Sequence, residues 1–394
     1  MTSRKTIALW TEEPFRVFFP LGLVLGMCGA ALWPMFVWHA ITYYPSNAHV
    51  RLMIEGLMGS FIIGFLGTAG PRLLDAEPFR APETFALFGL QVLSASLHLA
   101  RQQSAGDIVF LILLLLFLGV MGTRVRKRAR GSLPPPSFVL VLIGYFSAIA
   151  GVAFMLTAGT MSNGVLLNQL GALMLNQGLV LLPILGVGAF FFSKLLGGAR
   201  PELADLEMAK EQWKRKAGIA AAAAILILAS FALETADWIR TAAALRGVTT
   251  LLYFSTQGRL FERPAGPPFL AHCFRIGFLL LVAGLLLPVV LPAYRVANLH
   301  VTFLGGFSVI LFTVSTRVII GHSGQSHLFQ KRMPFLVVAL SLLILAMTAR
   351  VAADFSASVR NSHLVYAALI WLGAAAAWAW ALFPKLLSTD ESDG

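Results

Sequence analysis

Charge is what this sequence has least of. Asp, Glu, Lys and Arg make up 12% of its 394 residues, against about a quarter in a soluble globular chain. That scarcity excludes a large water-facing domain and, with it, a basic surface broad enough to hold a nucleic acid. Cysteine is scarcer still. Cys28 and Cys273 both fall within apolar runs, in opposite halves of the bilayer in the topology below, so neither a disulfide nor a cysteine metal motif is expected. A cleavable secretory signal is also missing. "MTSRKTIALWTEEPFR" is too polar, and the first apolar run is too long and lacks a small-residue cleavage site, so it is expected to be an uncleaved anchor.

What is present is oil. Hydrophobic residues account for 58% of the chain, with a mean hydropathy of +0.79. Apolar stretches of eighteen residues or more recur throughout, the length that crosses a hydrocarbon core. Lipid offers backbone groups no hydrogen bonds, so spans must be helices or a closed barrel. The runs are continuous rather than alternating, which removes the barrel. The sequence therefore predicts an all-α polytopic membrane protein, one transmembrane domain over residues 1–394.

Twelve spans are expected: 17–38, 50–69, 82–100, 107–123, 136–158, 169–193, 217–234, 239–257, 269–290, 297–320, 333–352 and 363–384. The third and the eighth are the least apolar. With the N-terminus in the cytoplasm, twenty-one of the thirty Lys and Arg lie on cytoplasmic segments. Five lie on the outer ends and four within spans. That asymmetry follows the positive-inside rule and places both termini inside. "RVRKRAR" (124–130) and "KEQWKRK" (210–216) then face anionic headgroups. The loop 194–216 reads as a cytoplasmic amphipathic surface helix. "EPFR" occurs at residues 13–16 and 77–80, but no clear internal repeat emerges.

Ionisable groups inside spans are costly and turn inward. Arg51 and Glu55 stand four residues apart, so they are expected to pair on one helix face and to carry no chemistry. Arg246, Arg275 and Arg317 have no acidic partner on their own helices. Either backbone carbonyls cap them, or an anion such as a haem propionate does.

By depth, His39, His49, His98, His300 and His363 lie near the outer face, and His272, His322 and His327 near the inner face. Spans four to eight hold none. His39, His98, His327 and His363 read as headgroup histidines. His300 and His322 bracket the tenth span about 33 Å apart on one helix face, so any ligands there belong to two sites. His49 would join His300 outside, and His272 would join His322 inside. Neutral imidazole suits haem iron and copper. Gly321 is expected to end the tenth span in a left-handed turn. His322 would then point back toward His272, with Arg317 and Arg275 neutralising carboxylates or a bound anion.

Four stretches carry a resemblance: "PFRVFFP" (14–20), "GFLGTAGP" (64–71), "PFLAHCFRIG" (268–277) and His300 followed by "TRVIIGHSG" (316–324). The chain resembles the NnrS family of bacterial inner-membrane proteins, associated with the nitric oxide response and described as containing haem and copper. The resemblance implies a haem-binding protein of nitrosative stress or denitrification, with nitric oxide or an iron-nitrosyl species as partner and no assigned redox partner. His272, His300 and His322 match family histidines. His49 matches the first histidine of a pattern resembling H-x-H-E-M, which here reads "HVRLM", with Arg51 in place of the second histidine.

An architectural likeness to haem-copper oxidases rests on outer histidines at the second and tenth spans. The histidines those enzymes need on spans six and seven are missing, so reduction of oxygen or nitric oxide at a binuclear centre is not expected. Two alternatives stand beside the leading reading: a twelve-helix secondary transporter, and an assembly factor that passes on haem or copper.

Overall fold

A computed structural model of the chain describes residues 9–127, 133–196, 208–266 and 269–388. Among the described residues there is no strand, and twelve long helices follow one another. They are α1 (Phe15–Val37), α2 (Ser46–Leu73), α3 (Ala81–Leu99), α4 (Gln103–Lys127), α5 (Phe138–Thr157) and α6 (Gly164–Phe192). The second six are α7 (Lys210–Thr235), α8 (Ile239–Gln257), α9 (Phe269–Val290), α10 (Arg295–Gly321), α11 (Pro334–Phe355) and α12 (Arg360–Leu382). Each coincides with an expected span. Ten of the twelve stretches are long and apolar enough to cross a membrane.

The two that fall short are α3 and α8, and the reason is composition rather than length. Both have nineteen residues, about 28 Å at the helical rise. α3 turns Thr84, Gln91, Ser94 and His98 inward, and α8 buries Arg246, Thr249 and Thr250. Polar groups that would be costly in lipid are spent inside the protein. The outward faces are apolar. On α4, Ile108, Ile112 and Leu115 stay exposed while Phe110, Leu113, Leu114 and Phe117 are buried.

The chain divides into two compact units. One comprises Met1–Gly29, Ser46–Gly186 and Leu203–Ala221, the other Ala30–Pro45, Val187–Glu202 and Ala222–Gly394. In the first, Phe19 stacks on Phe61 with ring centroids 4.6 Å apart. In the second, Phe254 stacks on Phe278 at 4.3 Å and on Phe274 at 5.5 Å.

A four-helix period runs through the fold. α2, α6 and α10 each break into a π-helical segment: Leu52–Met58, Met174–Gly178 and Val301–Ser308. The helix before each carries two glycines seven residues apart: Gly22 and Gly29 on α1, Gly144 and Gly151 on α5, Gly277 and Gly284 on α9. One glycine of each pair meets the start of the π segment. A Cβ on Gly29 would lie 3.0 Å from Leu52 Cβ, on Gly151 2.9 Å from Leu175 N, and on Gly284 2.5 Å from Thr302 N. The other meets the turn beyond it, at Ser60, Pro183 and Val309 (2.8, 2.8 and 2.9 Å). Small residues bring the backbones of membrane helices close, and π segments are frequent at functional sites. The sequence showed no clear repeat because only glycines and backbone geometry recur.

Other expectations are corrected locally. Arg124, read as facing headgroups, is buried and pairs with Glu83 on α3 while donating to the Pro78 carbonyl at 3.1 Å. Arg126 and Lys127 do stay exposed. Both "EPFR" stretches form a local ion pair, Glu13–Arg16 (2.6 Å) and Glu77–Arg80 (2.9 Å), a helix-entry device. Of the surface helix expected over 194–216, residues 197–207 lie outside the described residues, and from Lys210 the chain is already in α7. Cys28 and Cys273 are both free thiols.

Candidate functional site

His49 sits in the first turn of α2, half-buried, with Nδ1 3.0 Å from the Gly29 carbonyl. The close approach of α1 at Gly29 makes this contact available. His300 immediately precedes the π segment of α10, also half-buried, with Nδ1 2.7 Å from the Val296 carbonyl. A carbonyl only accepts, so each ring donates through Nδ1, and in its neutral form it carries its lone pair on Nε2. This is the tautomer of an iron- or copper-ligating histidine steadied by a main-chain oxygen. His49 belongs to the first unit and His300 to the second. Their helices are the two most enclosed of the ten candidate spans, with 78% and 72% of their apolar stretches buried.

The inner candidates are built differently. His272 is exposed on α9, and His322 is half-buried at the end of α10. Arg275 donates Nε to the Leu260 carbonyl at 2.8 Å and a second hydrogen bond to the Glu262 carbonyl. Backbone carbonyls, one of the two expected solutions, thus hold it. Arg317 lies 3.7 Å from the Phe329 ring centroid, close enough for a cation–π contact. α10 ends at Gly321 as expected, but the left-handed residue is Gly324 (φ 70°), and His322 closes the helix at φ −99°. Arg246 is partnered across helices: Glu234 of α7 pairs with it and with Arg295 (2.8 Å), while Ser230 Oγ accepts from its Nε at 3.0 Å.

A buried polar cluster lies in the first unit, and the sequence points to only part of it. Arg51 and Glu55 do pair, Nε to Oε1 at 3.3 Å. Arg51 is closer to Asp107 of α4: 2.8 Å from Nε to Oδ1, and 3.0 Å from Nη2 to Oδ2. His98, expected at the headgroups, is instead 1% exposed. Its Nε2 lies 3.0 Å from Glu55 Oε2 and 3.8 Å from Asp107 Oδ1, and its Nδ1 lies 3.0 Å from Gln103 Oε1. Local sequence sets this up. Gly106 lets the His98 ring pass where a Cβ would sit 2.5 Å away. Within the π segment the Glu55 carbonyl accepts from Gln91 Nε2 at 3.0 Å. The signal available in the sequence was Asp107 at the edge of the fourth span, separated from His98 only by the short turn between α3 and α4.

These helices and this buried charge define a multi-pass helical membrane protein with functional groups held inside it. A family model for the NnrS protein matches residues 9–389. The chain belongs to the NnrS family. No curated protein matches it.

Proposed function

We propose that this protein is a haem-binding membrane protein of the nitric oxide response, with His49 in the first unit and His300 in the second each, taken by itself, an iron ligand through Nε2. Family membership supports the physiological setting. The observation that carries the ligand assignment is the shared geometry of the two histidines. Both anchor Nδ1 on a main-chain carbonyl and both stand just before a π segment in a deeply enclosed helix. Haem iron held by imidazoles would supply one-electron chemistry. In this reading α3 and α8 also cross the bilayer, giving twelve crossings of a bacterial inner membrane with both ends in the cytoplasm.

Copper at the "HVRLM" stretch fits poorly. Arg51 replaces an imidazole there with a cation, and that cation is engaged by Asp107 and Glu55. His272 and His322, with Arg275 and Arg317, stand as the candidate inner pair. The test of the whole reading is the absorbance spectrum of the purified, reduced protein. Sharp bands of an imidazole-ligated haem are expected, and a colourless protein expressed in haem-replete cells contradicts it.

A further inference from the structure

Four ionisable side chains meet in the first unit, and their charges do not cancel. Glu55 and Asp107 bring two negative charges, Arg51 one positive, and a neutral His98 none. All four are enclosed: side-chain exposure is 1% for Glu55 and His98, 8% for Asp107 and 13% for Arg51. An uncompensated charge in such surroundings is expensive. A single bound proton removes it, whether it sits on His98 or on either carboxylate. The atoms that would share it are 3.0 and 3.8 Å apart.

A cation heavier than a proton suits the cluster less well. Glu55, His98 and Asp107 each offer an atom within 4.8 Å of the others, but the Arg51 guanidinium already lies against both carboxylates. A divalent ion would leave a net positive charge beside it. A soft monovalent metal prefers sulfur and imidazole to two carboxylates.

The cluster also has unused acceptor capacity and a way out. Neither Glu55 Oε1 nor Asp107 Oδ1 receives a hydrogen bond, although both lie within ion-pair distance of Arg51. Ser94 Oγ reaches Glu55 Oε2 only at 3.4 Å, and Arg51 Nη2 completes its contacts on Met155 Sδ at 3.3 Å. The ring of His98 spans the boundary. Nε2 faces Glu55 inside, and Nδ1 faces Gln103, which is half-buried beside the exposed Arg101 and Gln102 of the α3–α4 turn. An imidazole can accept a proton on one nitrogen and release one from the other.

We propose that Glu55, His98 and Asp107 form a proton-loading site, holding one exchangeable proton that enters and leaves through His98 past Gln103. This goes beyond the haem reading and does not require it. The expectation that Glu55 is silent rested on Arg51 neutralising it alone, and Asp107 removes that ground.

The test is infrared difference spectroscopy of the purified full-length protein in lipid nanodiscs, stepped in pH and exchanged between H2O and D2O. The native protein should show a carboxyl or imidazole band that titrates as one group and shifts in D2O. Glu55→Gln should lose it with the helical content unchanged, and Gln103→Leu should keep it but equilibrate more slowly. Identical difference spectra in native and Glu55→Gln protein would overturn the proposal. If Glu55→Gln does not fold, Gln103→Leu decides: slower equilibration supports the site, and native-like rates refute it. A stoichiometric metal ion present in the native protein and lost in His98→Gln would also refute it, in favour of a metal site. A colourless protein that shows the band would refute the haem reading alone.

Discussion

Replacing Arg51 with glutamine tests the buried cluster by removing its only fixed positive charge. Arg51 lies 2.8 Å from Asp107 and 3.3 Å from Glu55, and the two carboxylate side chains are 8% and 1% exposed, so water cannot screen what remains. Breaking a buried ion pair from one side costs about 3–5 kcal/mol, because the other charge stays behind unpaired. At 1.4 kcal/mol per factor of ten, that is about a hundredfold to a few thousandfold in the folding equilibrium. The variant can soften the loss by taking up a second proton, so the cost should grow as pH rises. Unfolding in mild detergent, followed by intrinsic fluorescence, measures it. The double variant Arg51→Gln, Asp107→Asn should recover much of the loss, since Glu55 and His98 can then neutralise each other. A single variant as stable as the native protein, or a double variant less stable than the single, would refute the charge argument.

Three further outcomes follow from the packing. Gly106→Leu should be more damaging than Gly89→Leu, because the His98 ring occupies the space beside Gly106 while nothing lies within 4 Å of a Cβ on Gly89; expression and elution profiles compare them. Glu234→Gln should cost about 3 kcal/mol, since Arg246, with a side chain 5% exposed, then loses this carboxylate. A melting temperature within error of native would contradict this. Gly284→Val should destabilise by about 1–3 kcal/mol through overpacking against the Thr302 backbone, whereas Gly119→Ala, with open space around it, should be neutral or slightly stabilising on the same assay.

Hydropathy alone locates ten of the twelve long helices, because lipid imposes one solution on each apolar run. It was weakest at α3 and α8, where polar residues face inward and lower the average without shortening the helix. His98 illustrates what a linear reading misses. Near the end of a span it has the position of a headgroup histidine, and only the packing of α2, α3 and α4 shows that it is enclosed. Asp107 and Glu234 are similar, each lying at the edge of an apolar run and finding its arginine on a neighbouring helix. Arg51 and Glu55 were legible because their partnership is local, four residues along one helix. His49 and His300 were singled out by type and depth, but the π segments beside them leave no residue pattern to read.

The most direct measurement is haem per chain, with reduced spectra, for the native protein beside His49→Ala, His300→Ala and the His272→Ala, His322→Ala double variant. Loss or broadening of the haem bands in each of the two single variants, with folded protein in hand, is the result expected. Unchanged haem content and spectra in both would contradict the assignment of His49 and His300 as iron ligands.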